Sequence, residues 1–129
     1  MLGERFRYYR VAREGREAII AKIRKVLEDE GVSLAVLFGS FVELDSFRDI
    51  DLAVYIRGDE DLSFIFRLAN KLEEELGYPV DVVPLNTIPP RFRHYILTKG
   101  VVIVEREPGL YESLLIQAID EIEELKRLK

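Results

Sequence analysis

A chain of 129 residues has room for one domain with a real core and little more. Apolar residues make up 48% and charged residues 33%, which excludes a disordered chain; no apolar run approaches the ~18 residues of a membrane span, and MLGERFRYYR lacks a signal peptide's apolar stretch. The absence of cysteine excludes a disulfide framework and a thiolate metal site, and a net charge of −5 argues against wholesale wrapping by nucleic acid.

The cytosol is the expected compartment. Charge is spread unevenly: residues 1–25 carry eight Lys/Arg against three Glu. Such an arm could meet phosphates or an acidic partner, but a solvated helix face is the simpler reading. Two Asn, one Gln and one Met among many Lys, Arg and Glu resemble the residue usage of a thermophile.

In chain order, Val11, Ala18, Ile19, Ile23, Val26 and Leu27 follow helical spacing over about 11–30, and Gly31 supplies the stop. The wholly apolar LAVLF at 34–38 predicts a buried strand, and IDLAVYI at 50–56 a second. Asp59 and Asp61 can cap a helix with the stripe Leu62, Ile65, Leu68, Ala69, Leu72 and Leu76, ended by Gly77. A third strand spans 79–85, with Pro84 at its end or on an edge. A short helix opened by proline and closed by glycine follows at 89–100, then a fourth strand at 101–105 and a helix over about 109–128.

The order α-β-β-α-β-α-β-α predicts an α/β (α+β) layer fold, a small sheet of about four to five strands covered by helices. One domain, 1–129, is expected. About ten residues join the first two strands, too few for a helical crossover, so those strands should run antiparallel.

Asp49 and Asp51 open the second strand on one face, roughly 7 Å apart, where two carboxylates repel by about 2 kcal/mol. A chain selected only for folding has no use for that penalty. A divalent cation converts it to attraction, and hard oxygen ligands suit Mg²⁺ or Mn²⁺. Asp81 sits inside VDVV, where an apolar residue would be the easy choice. With the third strand beside the second, three carboxylates could hold two ions about 3.5–4 Å apart, as in-line nucleotidyl transfer requires. Gly39 lets the backbone approach a ligand closely. The amides after it and the Ser40 hydroxyl can donate to phosphate oxygens.

The pattern Gly-Ser, then Asp-x-Asp opening the next strand, then Asp in a later apolar strand resembles the DNA polymerase β-like nucleotidyltransferases. Within them it is most similar to the minimal nucleotidyltransferases, the MNT or MntA-like antitoxins. VDVVPLNTIPPRFRHYILTKGVVIVER at 80–106 adds to the likeness, which covers about 32–106. The resemblance implies a mixed-sheet palm, two Mg²⁺ ions and ATP or another nucleoside triphosphate as donor. It implies Asp49, Asp51 and Asp81 as metal ligands and catalytic acids, with Asp81 helping to take the proton from the attacking hydroxyl. Gly39 and Ser40 would hold the β- and γ-phosphates.

Two positions depart from the family's pattern. Glu43 and Leu44 stand where many members carry Arg and Gly, and Arg48, Arg91 or Arg93 are the candidates to replace the missing cation. His94 is the sole histidine and reads as a surface or half-buried residue; Tyr8 and Tyr9 could stack on a partner or simply pack.

The resemblance further implies AMP transfer to a tyrosine of a HEPN-type toxin. A small-molecule acceptor such as an aminoglycoside is the lesser option, because those enzymes usually carry an extra helical domain. With no second domain, the acceptor site must be shallow, shared across a homo-oligomer, or supplied by the acceptor. A different class remains open: a catalytically weak or inactive antitoxin that occludes its partner through the C-terminal helix or basic arm. A nucleotide sensor without turnover is a third reading.

Overall fold

The computed structural model describes residues 8–58 and 62–128. The proposed cap at Asp59 and Asp61 lies outside them. In chain order the elements are β1 (Tyr9–Arg10), α1 (Arg13–Glu28), β2 (Leu34–Phe38), α2 (Ser40–Glu43), β3 (Ser46–Phe47), β4 (Ile50–Tyr55), α3 (Leu62–Leu76), β5 (Val80–Pro84), α4 (Pro90–Lys99), β6 (Val101–Glu105) and α5 (Leu110–Arg127). The main sheet has the order β5-β4-β2-β6. Strand β2 runs antiparallel to β4 and β6, while β4 and β5 are parallel. The sheet is therefore mixed, and the hairpin-length link between β2 and β4 gives the expected antiparallel pair. Pro84 closes the edge strand β5, where a missing N–H costs no ladder bond.

Period-two alternation sends residues of each strand to two covered faces. On one face Ala35, Leu37, Ile50, Leu52, Val54, Val80 and Val82 pack with Ile19, Ile23 and Leu27 of α1 and Ile65, Leu68 and Leu72 of α3. On the other, Leu34, Val36, Phe38 and Ala53 pack with Ile96 and Leu97 of α4 and Leu110 and Leu114 of α5. Burial on both sides explains why β2 is apolar at every position. At Gly100 the chain enters β6 so close to β2 that a Cβ would sit 2.5 Å from the Ile96 carbonyl oxygen and 2.7 Å from that of Leu37.

Three expectations need amendment. Ala18 is exposed, so the α1 stripe runs through Ile19, Ile23 and Leu27. The C-terminal helix is covered on one side only: Leu110, Leu114 and Ala118 are buried, while Ile116, Ile119 and Leu125 are exposed. The pair β1–β3, with Tyr9 opposite Phe47, went unforeseen because two residues are too short to show a period. Tyr9 packs edge-on to Tyr78 and against Phe47, while Tyr8 is exposed.

Arg93 is the one buried charged residue among those described, at 6% exposure. Its Nε donates to the Leu85 carbonyl at 3.1 Å, Nη2 to the Ile88 carbonyl at 3.0 Å, and Nη1 pairs with Glu121 of α5. The guanidinium thus ties α4 to α5 and to the end of β5. Replacing Arg93 with Ala should cost about 2–4 kcal/mol by urea unfolding, because carbonyls lose donors that water replaces poorly. Glu121→Gln should cost less than about 1 kcal/mol, since that carboxylate reaches solvent.

Candidate active site

The register of three strands gathers the acids. Asp51, second in β4, lies opposite Asp81 of β5 and, on the other side, opposite Phe38 at the end of β2. Asp49 immediately precedes β4, whose first amide, Ile50 N, donates to the Pro79 carbonyl at 2.9 Å and fixes the two strand starts together. Asp51 and Asp81 share the face covered by α4 and α5, opposite the buried Ile50 and Leu52.

The backbone turns at Gly39 with φ +76° and ψ −156°, a combination essentially confined to glycine. A Cβ there would lie 2.3 Å from Asp51 Oδ2. Glycine is thus required by the approach of Asp51 to the turn as well as by the backbone. Ser40 opens the four-residue α2, with Val42 and Glu43 amides each donating to the Gly39 carbonyl at 3.0 Å.

Electrostatics marks the same spot. The Asp51 pKa is raised to about 7, first by burial, then by the charges of Asp49 and Asp81 and a hydrogen bond with Asp49. Asp81 is raised too, by desolvation and then by Asp49. Among the described residues no three His, Cys, Asp or Glu side chains stand as a finished metal cage. The donor set nonetheless fits a hard divalent cation: oxygen ligands only, on one face, holding charge that burial and mutual repulsion make costly.

Two residues not singled out by sequence organise the surroundings. Arg16 of α1 donates to the carbonyls of Phe41, Leu44 (2.9 Å) and Asp45 (2.7 Å), with its guanidinium over the rings of Phe41 and Phe47. It therefore holds the segment leaving Ser40; the only hint was a cation in a helix's first turn, where the dipole disfavours it. Tyr95 of α4 donates its hydroxyl to Glu43 Oε2 at 2.7 Å, and that bond, with burial and the charges of Glu43 and Asp51, raises its pKa. Arg93 is committed elsewhere and does not replace the missing cation; Arg48 and Arg91 are exposed. His94 is half-buried.

Asp51 holds its proton more tightly folded than unfolded, so its stabilising contribution is complete below the ordinary carboxyl value of 3.8 and disappears as pH rises through about 7. The melting temperature of metal-free protein should therefore fall between about pH 4 and about pH 7, less steeply in Asp51→Asn, and Mg²⁺ should raise it more at the higher pH. Gly39→Ala should lose roughly 1–3 kcal/mol of stability to backbone strain and lose the Mg²⁺-induced rise in melting temperature.

The chain is similar to known nucleotidyltransferases. Residues 21–109 match the family described as polymerase beta, nucleotidyltransferase. A Methanocaldococcus jannaschii protein provisionally named a protein adenylyltransferase is 38% identical over 82 residues, covering 62% of this chain and 88% of that protein. A solved complex of tri-AMPylated HEPN toxin with MNT antitoxin from Shewanella oneidensis superposes with a TM-score of 0.74 at 26% identity, over 87% of this chain and 90% of the matched one. A toxin–antitoxin complex with AMP-PNP gives 0.75 at 28% identity, over 84% and 90%. This chain belongs to the polymerase β nucleotidyltransferase family, and its structural neighbours include the MNT antitoxins of HEPN toxin–antitoxin pairs.

Proposed function

We propose that the protein transfers AMP from ATP to a hydroxyl, that of a tyrosine on a partner HEPN-type toxin, and that the transfer neutralises the toxin. The observation that carries this reading is the register that puts Asp51 beside Asp81, with Asp49 near enough for its charge to raise the Asp51 pKa. Support for the donor and acceptor comes from the relatives, one solved with AMP-PNP and another with its toxin AMPylated.

In this reading Asp49, Asp51 and Asp81 hold two Mg²⁺ ions, which supply positive charge to the triphosphate and the attacking oxygen. The amides after Gly39 and the Ser40 hydroxyl donate to the β- and γ-phosphates, and Arg48 stands close enough in sequence to Asp49 to contribute charge there. Asp81, on the more open edge strand, accepts the proton of the incoming hydroxyl. The hydroxyl oxygen bonds to the α-phosphorus, the bond to the β-phosphate oxygen breaks, and pyrophosphate leaves. Little covalent work falls to the protein; positioning and electrostatics dominate.

Occlusion without catalysis draws support from one observation. Glu43 places an anion, held by Tyr95, beside the same site, and Arg93 is tied up elsewhere. The readings separate in one experiment: ATP labelled at the α-phosphate, Mg²⁺, and a HEPN-type toxin of the kind the relatives are solved with. Adenylyl transfer predicts label on a toxin tyrosine and loss of both label and neutralisation in Asp49→Asn/Asp51→Asn. A double variant that still neutralises an unlabelled toxin would establish occlusion instead.

A further inference from the structure

Large apolar side chains left in water forgo the free energy of burial, and several stand together at the mouth of the carboxylate site. Phe92 and Tyr95 project from the outer face of α4, 37% and 38% exposed, with rings stacked at 6.5 Å and 18°. Phe92 meets Phe38 edge-on at 5.8 Å, and Phe38 is the residue opposite Asp51. The Tyr95 hydroxyl donates to Glu43, and Leu44, the next residue, is 60% exposed. An apolar rim thus links α4 to the end of α2 beside the aspartates.

This arrangement has the chemistry of a phenol site. A phenol needs a flat apolar wall for its ring and an acceptor for its O–H. The wall is Phe92 with Tyr95, and the acceptor is the Glu43 carboxylate, already occupied by a phenol from the protein itself. A hydroxyl carried on another protein can reach Asp81 only if its chain lies over the mouth of the site.

We propose that Leu44, Phe92 and Tyr95, with Glu43 among them, form the seat of the acceptor's tyrosine-bearing segment, Glu43 accepting the incoming phenol's O–H in place of that of Tyr95 in the nucleotide-free complex, before that hydroxyl turns to Asp81 for transfer. The inference rests on the adenylyl-transfer reading and adds the specificity element. It gives Glu43, an anion where many family members carry a cation, a task directed at the acceptor rather than the nucleotide.

The test uses N-acetyl-L-tyrosinamide as probe, titrated into the nucleotide-free protein and followed by NMR, with Mg²⁺–ATP affinity measured separately by calorimetry. Saturable shifts should centre on Phe92 and Tyr95, and Phe92→Ala and Glu43→Ala should weaken the probe about tenfold while Phe92→Ala leaves ATP affinity within about twofold. Phe92→Leu keeps most of the volume without the ring and carries the same expectation should Phe92→Ala not fold. No saturable shift in the parent, or equal affinity in the variants, overturns the proposal. So does a matching loss of ATP affinity, which would assign the aromatic wall to the nucleotide base. Asp49→Asn/Asp51→Asn should bind the probe like the parent. Absence of ATP binding with probe binding intact would remove the adenylyl-transfer reading and leave the phenol seat standing.

Discussion

The line Phe38–Asp51–Asp81 across β2, β4 and β5 is the constraint on which the site depends. A slip of one residue in either pairing would turn an aspartate into the core and a valine or leucine out to the site. That slip is blocked by burial on both faces: Leu34 to Val36 are fully buried, as are Ile50, Leu52, Ala53 and Val54. Hydrophobic packing thus supplies the force that holds like charges together. The acids add nothing to folding at neutral pH without a cation; they tax a sheet stable enough to carry them.

Around this line the remaining polar contacts divide the work. Gly39 makes the turn that Asp51 can approach, and Arg16 anchors the carbonyls that follow, so the segment after Ser40 is fixed from outside the site. Arg93 fastens α4, the helix that carries Phe92 and Tyr95, to α5 and the end of β5. The mouth is therefore built from two firmly tethered elements, joined by the exposed Tyr95–Glu43 hydrogen bond. An exposed bond of that kind exchanges readily with an incoming partner, whereas the anchors behind it do not.

Much of this was legible in the sequence, for reasons that can be named. Alternation placed Asp49 and Asp51 on one face, the short link dictated an antiparallel first pair, and an acid inside VDVV stood out as a cost without a structural return. Gly39 was expected to admit a ligand; what requires glycine there in the structure is the approach of Asp51. Arg16 and Tyr95 escaped because the partners that give them their roles lie 25 to 29 and 52 residues away in the chain, and no local period encodes such distances; Arg93 was noticed, but as a cation for the site and not as the tie to Glu121, 28 residues on. The apolar residues of the C-terminal helix span two surfaces, one buried and one left exposed, and their spacing alone does not say where one ends and the other begins.

The central claim is that the three aspartates bind a nucleotide through divalent cations. Calorimetric titration with ATP, with and without Mg²⁺, of the parent and of Asp49→Asn/Asp51→Asn tests it most directly. The account predicts ATP binding that requires Mg²⁺ in the parent and is lost in the variant. Binding of equal strength in both proteins, or none in the parent with ATP, GTP, CTP or UTP, would contradict it.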